Sequence, residues 1–202
     1  MDLFEAIHTQ RAIRSFKSDP VPDAVIRRVL DAAIRAPSGG NRQPWIFMVL
    51  KDQQVKRSVG QLYKQGWDAS YNVRLTVDPD PSLSRVYRSS QHLAMTIGEA
   101  PVLVLPCIRH DGSVSTMTRG ASIYPAVQNM MLAARALGLG TVITTLHKFF
   151  EEEVKELLGI PDHVETAALI PLGYPADDVQ FGGSRRRPVE EVTYTDLWGK
   201  RD

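Results

Sequence analysis

Arginines in two short clusters, near opposite ends of the chain, have the type and spacing that phosphate binding requires. Arg11 and Arg14 are three residues apart, and Arg185, Arg186 and Arg187 are consecutive. Planar guanidinium groups match phosphate oxygens, so two of them on one turning segment can hold a single phosphate. A solvated basic face explains either cluster taken alone. Because the formal net charge of the chain is only +1, the two clusters together favour convergence on one anion.

A polar, glycine-containing loop at 36–44 (APSGGNRQP) is the second candidate site. Ser38, Asn41 and Gln43 carry donors and acceptors that suit the edge of a polar ring. The two adjacent glycines let the backbone approach a ligand closely. An ordinary helix-to-strand connection accounts for the same residues without a ligand, because turns are rich in glycine and asparagine. The local chemistry leaves both interpretations open.

The sequence gives no signal for four other kinds of site. The five histidines show no metal-ligand spacing, so we predict no metal site. The single cysteine, Cys107, lies within an apolar run and is predicted to be a core residue and not a nucleophile. No Gly-x-Ser-x-Gly motif is present. Gly138 and Gly140 follow a predicted helix, the reverse of the order in a dinucleotide-binding motif, so they indicate a helix end.

Composition and charge restrict the class of protein. The chain has 202 residues, of which 43% are hydrophobic, and this predicts one folded domain. A net charge of +1 argues against a nucleic-acid partner. The apolar runs are too short to cross a bilayer, and Asp2 and Glu5 interrupt any amino-terminal signal. One cysteine fits a reducing compartment, so we expect a cytoplasmic protein with no membrane partner.

Hydrophobic periodicity predicts helices interleaved with strands. Helices are predicted at 2–10, 24–35, 52–66, 83–98, 118–138 and 150–158. Strands are predicted at 45–50, 101–109, 141–146 and 164–173. Asp23 is expected to cap the second helix, and the first strand is expected to be buried on both faces. The helix at 118–138 is apolar nearly all round, so it must be buried on most sides. This alternation favours a layered fold of helices and sheet.

Four segments, taken in order, resemble the nitroreductase family of flavin enzymes. They are 9–16 (TQRAIRSF), 37–45 (PSGGNRQPW), the helix Ser122–Gly140, and Gly173-Tyr174-Pro175 followed by Arg185–Pro188. Their order and spacing over nearly the whole chain carry the resemblance, since no single segment suffices. In the first segment the family usually has two adjacent basic residues and then a serine. Here Gln10 and Ala12 replace one of those charges and the hydroxyl.

The resemblance implies an α+β fold in which a central mixed sheet is flanked by helices, in a single domain at 1–202. It implies an intertwined, obligate homodimer with one FMN in each of two sites formed by both subunits. The apolar helix Ile123–Leu137 would then form the dimer core. A C-terminal arm at about 175–202 would belong to the same domain.

A lid excursion at about 63–90 is implied over the substrate face. Its polar part at 67–82 contains two prolines and is typical of a loop more than of a core element. Aromatic residues of the lid would either stack on a planar acceptor or merely pack the excursion. These residues are Tyr63, Trp67, Tyr71 and Tyr87.

The resemblance also assigns residues to the cofactor. Arg11, Ala12 and Arg14 would form the basic opening, where the arginines contact the phosphate or ribityl chain and one lies near the N1–O2 edge of the ring. Arg186 would clamp the phosphate, with Arg185 beside it. The remaining contacts to the flavin would come from the 38–43 loop, whose first two residues reach in from the partner subunit, and from two threonines. These residues are Ser38, Gly39, Asn41, Gln43, Thr144 and Thr145.

The implied activity is reduction of FMN by NADH or NADPH, followed by ping-pong reduction of a nitroaromatic, a quinone or a related acceptor. The flavin carries this chemistry, so no protein side chain is named as catalytic. Three alternatives remain open: a flavin-fragmenting enzyme of the same fold, a reductive dehalogenase of the same fold, and a non-enzymatic protein that binds or sequesters flavin.

Overall fold

The computed structural model describes residues 1–71, 81–112 and 117–201. Its helices are α1 (Leu3–Thr9), α2 (Asp23–Ala33), α3 (Gln53–Tyr71), α4 (Pro81–Thr96), α5 (Met117–Ala136) and α6 (Glu151–Leu158). Its strands are β1 (Trp45–Leu50), β2 (Val102–Arg109), β3 (Gly140–Thr141), β4 (Val164–Thr166) and β5 (Ile170–Gly173). Short 3₁₀ turns occupy Gly39–Asn41, Ile97–Glu99, Leu146–Phe150 and Val189–Glu191. Within these described ranges, no helix combines the length and the apolar character that a membrane crossing needs.

The sheet is built around β2, and its strands lie in the order β1-β2-β5-β3. β4 pairs with the part of β2 that β5 leaves free, so β4 and β5 together follow one edge of β2. The four strand pairs are antiparallel. Parallel pairing among the described residues occurs at an isolated bridge between Ala12 and Thr141, and the mixed character of the sheet therefore rests on this bridge. β1 lies at the edge of the sheet, and its residues pack alternately against both hydrophobic cores. Most of them are only half-buried, so the predicted burial on both faces is met in part.

Two hydrophobic cores cover the two faces of the sheet, as the layered prediction requires. Alternate residues of β2 point to opposite faces, so Val102 and Val104 belong to one core and Leu103 and Leu105 to the other. α2 and α5 cover the first face, and α3, α4 and α6 supply side chains to the second. Cys107 is buried in the second core, and burial raises the pKa of its thiol to about 12. The prediction that this cysteine is a core residue is confirmed.

Helix α5 buries its apolar residues inside the protomer. They are Ile123, Ala126, Val127, Met130, Met131 and Ala134, and they pack in the core shared with α2. These residues lie on one face of the helix, whereas Ala121, Tyr124 and Gln128 are exposed, so the predicted burial on most sides is not found within one protomer. The apolar pattern of this helix does not by itself indicate a dimer core.

Several element boundaries differ from the prediction. α3 continues to Tyr71, so residues 63–71 of the expected lid belong to this helix and residues 81–90 belong to α4. The part of the lid at 72–80 lies outside the described residues. Asp23 is the first residue of α2 and not its cap, since Pro22 takes the cap position without a side-chain hydrogen bond. The Asp23 carboxylate accepts a hydrogen bond from Lys51 at 2.5 Å instead.

Candidate functional site

The segment that carries Arg11 and Arg14 is held between the sheet edge and the C-terminal arm. The Ile13 amide donates to the Thr141 carbonyl at 2.9 Å, and the Lys17 amide donates to the Tyr174 carbonyl at 2.9 Å. Ile13 is fully buried and anchors the segment, while Arg11 is exposed and Arg14 is half-buried. These backbone hydrogen bonds therefore fix the positions from which the Arg11 and Arg14 side chains extend.

The electrostatics of this segment favour an anionic ligand. Burial lowers the pKa of the Arg14 guanidinium, and the neighbouring positive charge of Arg11 lowers it further. Within the described ranges no ion pair joins a carboxylate to either arginine. A half-buried cation without a counter-charge is costly, and a bound phosphate would remove that cost.

Arg14 lines a pocket of about 270 Å³, here named the aromatic pocket because four aromatic side chains belong to its walls. Thr144 and Thr145 line it from the segment after β3, and Tyr63 lines it from α3. The Tyr63 and Thr144 hydroxyls are 2.7 Å apart, and burial raises the pKa of the Tyr63 phenol. Trp67, Tyr71 and Tyr87 complete the aromatic part of the wall, where Trp67 stacks on Tyr71 with ring centroids 4.7 Å apart. The four aromatic residues predicted from the lid thus meet in one pocket.

The C-terminal arm returns to the amino-terminal segment. The Gly182 amide donates to the Thr9 carbonyl at 3.1 Å, which brings the arm within two residues of Arg11 along the chain. Arg135 from α5 stabilises this approach, because its guanidinium lies 4.0 Å from the Phe181 ring centre. Arg185 and Arg186 follow three and four residues later and are exposed. Their convergence with Arg11 on one anion stays a prediction.

The loop with Ser38, Gly39, Asn41 and Gln43 lies at a different place on the protomer. The Gly39 amide donates to the Ser122 hydroxyl of α5 at 3.3 Å, and the Gln43 amide donates to the Ser38 hydroxyl at 3.0 Å. Asn41 and Gln43 have φ angles of 53° and 51°, an uncommon conformation that concentrates at functional loops. The loop borders a cavity of about 630 Å³ that neither Arg14 nor Thr144 lines.

Three pockets form a row that connects these two groups of residues. The aromatic pocket shares Thr145 with a middle pocket of about 230 Å³. The middle pocket shares Ile108 and Arg119 with the cavity beside the 38–43 loop. One protomer therefore places Arg14, Thr144 and Thr145 at one end of the row and Gly39 and Gln43 at the other. The remaining predicted cofactor residues line none of the three pockets; they are Arg11, Ala12, Ser38, Asn41, Arg185 and Arg186.

An ion network at the middle pocket was not predicted from the sequence. Lys148 contacts Glu151, donates to the Thr166 carbonyl at 2.9 Å and lies 3.5 Å from Glu165. Arg119 donates to Glu165 at 2.6 Å. Burial alone would raise the pKa of Glu151, but hydrogen bonds from Lys148 and Thr166 give a net lowering. Lys148 and Glu151 are three positions apart, a spacing from which their contact could have been predicted. Arg119 and Glu165 are 46 positions apart, and no local sequence pattern indicates that they pair.

Comparison with known proteins identifies the family. The model of the nitroreductase family matches residues 7–174. The NADH dehydrogenase of Thermus thermophilus is 31% identical over 214 residues, covering 98% of this chain and 96% of the relative. The iodotyrosine deiodinase 1 of Mus musculus is 27% identical over 200 residues, covering 96% of this chain and 69% of the relative.

A solved structure agrees in fold. A protein from Desulfovibrio desulfuricans, described as a nitroreductase in complex with FMN, superposes with a TM-score of 0.71 and is 26% identical, covering 98% of both chains. The nitroreductase-like α+β fold expected from the four sequence segments is thereby confirmed. With a family model that spans most of its length and a relative above 30% identity, the chain belongs to the nitroreductase family of oxidoreductases.

Proposed function

We propose that the chain is an FMN-dependent oxidoreductase that takes electrons from NADH or NADPH and passes them to an organic acceptor. The observation that carries this proposal is the half-buried Arg14 beside Arg11, with no carboxylate paired to either in the described part of the chain. The FMN complex of the D. desulfuricans relative and the name of the T. thermophilus relative support the cofactor and the donor.

The donors around the aromatic pocket fit FMN. Arg11 and Arg14 supply guanidinium groups for a phosphate or for the electron-rich edge of the ring, and Arg186 is close enough in sequence to the Gly182 anchor to join them. The exposed Thr145 has a hydroxyl without a hydrogen bond inside the described ranges. When bound, FMN supplies the ring that accepts hydride from the nicotinamide and returns electrons to the acceptor. The residues of this chain bind and orient it.

A homodimer would bring the two ends of the pocket row together. In a two-fold symmetric dimer the same surface meets itself, so the 38–43 loop of one copy can approach the Thr144 end of the other. Large apolar side chains are exposed along the row, including Met117 at 94% and Ile143 at 43% exposure. Trp198 of the C-terminal arm is 91% exposed, as expected of an arm that wraps around a second copy. We therefore infer an intertwined homodimer with two composite sites.

The acceptor belongs to the aromatic pocket. Tyr71 and Tyr87 offer ring faces beside Arg14, which suits a planar aromatic acceptor such as a nitroaromatic or a quinone. The deiodinase relative, which spans nearly all of this chain, favours reductive dehalogenation of a halogenated aromatic compound as the second candidate.

Anaerobic reduction of the bound flavin tests the proposed activity. The purified chain, reconstituted with FMN, should lose its visible flavin absorbance when NADH or NADPH is added. The absorbance should return when a nitroaromatic, a quinone or a halophenol is supplied, and the rates then rank the acceptors. A flavin that binds but resists both nucleotides would indicate a sequestering protein and would contradict the proposal.

Replacing Arg14 with alanine should weaken FMN binding about tenfold or more, because one charge-assisted hydrogen bond is lost. The dissociation constant is measured from the quenching of flavin fluorescence. Arg28→Ala is the matched control, since Arg28 lies exposed on α2 and lines none of the three pockets. Equal FMN affinity of the two variants would show that neither the phosphate nor the ring edge of FMN contacts Arg14.

A further inference from the structure

We propose that Tyr63 is a positioning residue that orients the Thr144 hydroxyl toward the flavin. The inference rests on the proposed function, since it concerns how this chain would present a hydrogen-bond donor to FMN. Nothing in the sequence segments shared with the family points to Tyr63, which lies on α3, 81 positions from Thr144. The contact that carries the proposal is the 2.7 Å approach of the two hydroxyl oxygens.

The backbone amide of Thr144 is already paired and cannot donate to a ligand. Its amide donates to the Leu169 carbonyl at 3.2 Å, and its carbonyl accepts from the Leu169 amide at 2.8 Å. These two bonds form an isolated antiparallel bridge that fixes Thr144 at the sheet edge. The hydroxyl is therefore the one group through which Thr144 can donate a hydrogen bond to a molecule in the pocket.

The surroundings of the two hydroxyls decide which one donates. Both residues line the pocket, but Tyr63 is only 2% exposed and its phenol makes no second hydrogen bond within the described ranges, whereas Thr144 is half-buried. If Thr144 donated, the phenol hydrogen would be left unpaired in the interior, which is unfavourable. If Tyr63 donates, the remaining hydrogen belongs to Thr144 and faces the pocket. The second arrangement is the one that the burial favours.

The packing of α3 holds the phenol in place. Gly66 lies three positions after Tyr63 and so on the same side of the helix, where a β-carbon would come within 2.4 Å of the Leu146 carbonyl oxygen. Leu146 begins the 3₁₀ turn that directly follows Thr144 and Thr145. Because Gly66 has no side chain, α3 approaches this turn closely, and the phenol is fixed relative to Thr144 by backbone packing.

The consequence for the cofactor is a donor of defined direction. A Thr144 hydroxyl whose oxygen is already engaged by the phenol can offer its hydrogen to a nitrogen or oxygen acceptor of a bound ring. A fixed hydrogen-bond donor beside the flavin ring would stabilise the electron-rich reduced flavin more than the oxidised flavin. Without the phenol the Thr144 hydroxyl is free to rotate, and part of that preference is lost.

Tyr63→Phe in the full-length, FMN-loaded chain tests the inference. It keeps the ring that fills the core and removes the hydroxyl. We expect FMN binding about fivefold to tenfold weaker and a more negative midpoint potential of the bound flavin. Thr144→Val should reproduce both effects, and the double variant should be no worse than Thr144→Val alone, because the phenol acts through Thr144.

Tyr124→Phe is the control, since it removes a phenol that donates to the Ala167 carbonyl at 3.3 Å and lines the middle pocket. It should change neither the FMN affinity nor the potential in the manner of Tyr63→Phe. FMN uptake with an unchanged affinity and potential in Tyr63→Phe, or additive losses in the double variant, would overturn this inference alone. A wild-type chain that takes up no FMN would overturn the proposed function and the inference with it.

Discussion

Replacing Gly66 with alanine is expected to lower the free energy of unfolding by about 2–3 kcal/mol, although alanine is the better helix former. The added β-carbon would lie 2.4 Å from the Leu146 carbonyl oxygen and 3.2 Å from the Leu146 carbonyl carbon. Both atoms belong to backbone, so α3 or the turn after Thr145 must move. Because this turn also positions Thr144, FMN affinity should fall together with stability. Urea unfolding and flavin titration measure the two effects.

Gly120→Ala is the matched control for this prediction. Gly120 is also helical, and a β-carbon there would approach the Tyr124 ring at 3.1 Å. The Tyr124 residue is 45% exposed and its hydrogen bond to the Ala167 carbonyl is long at 3.3 Å, so the ring can shift slightly. The helix propensity of alanine should therefore leave α5 unchanged or stabilise it by up to about 1 kcal/mol. Equal effects of the two substitutions would show that the contact between α3 and Leu146 is not tight.

Local hydrophobic patterns predicted the secondary structure correctly where the packing of the fold matches the burial that the pattern indicates. The apolar run at 101–109 became the central strand β2, since both sheet faces are covered by helices. The similar run at 45–50 became an edge strand, because strand order depends on contacts between distant segments. The segment at 164–173 was predicted as one strand but forms β4 and β5, which pair with different parts of β2. Hydrophobic periodicity carries no information about such pairings.

The candidate site also contains residues that a local pattern indicates and contacts that no local pattern can predict. Arg11 and Arg14 were singled out from residue type and spacing, because both lie on one short stretch of chain, and their role as phosphate ligands stays a prediction. The Tyr63–Thr144 contact and the Arg119–Glu165 ion pair join residues 81 and 46 positions apart, and no local pattern predicts them. The 38–43 loop was singled out by its composition, and the structure adds the positive φ angles of Asn41 and Gln43. Its contact with a flavin stays a prediction, tied to the proposed second copy of the chain.

Acidification is expected to destabilise the chain through His147. This imidazole is fully buried, and burial together with the neighbouring Lys148 lowers its pKa to about 4. The Thr166 hydroxyl, 3.0 Å from its Nε2 atom, donates to Glu151 at 2.8 Å, so Nε2 carries the hydrogen and donates to Thr166. The Nδ1 atom has no hydrogen-bond partner within the described ranges. A second proton would therefore place an unpaired charge in the interior.

The direction of the pH effect follows from the two pKa values. The folded state holds His147 neutral, whereas the unfolded chain binds a proton below the ordinary pKa of about 6.5. Stability is thus unaffected by this group above about pH 6.5 and falls as the pH drops toward 4. The difference of about 2.5 pKa units corresponds to a loss of about 3 kcal/mol near pH 4.

Comparison with His147→Gln isolates this contribution. Glutamine keeps a donor for Thr166 but does not titrate, while the carboxylates, including Glu151 with its lowered pKa, titrate in both proteins. Urea unfolding between about pH 8 and pH 4 should therefore show a steeper loss of stability in the wild type than in the variant, by about 3 kcal/mol at the acidic end. Parallel pH curves would mean that water or a neighbouring carboxylate reaches Nδ1, and that the imidazole is protonated in the folded state without penalty.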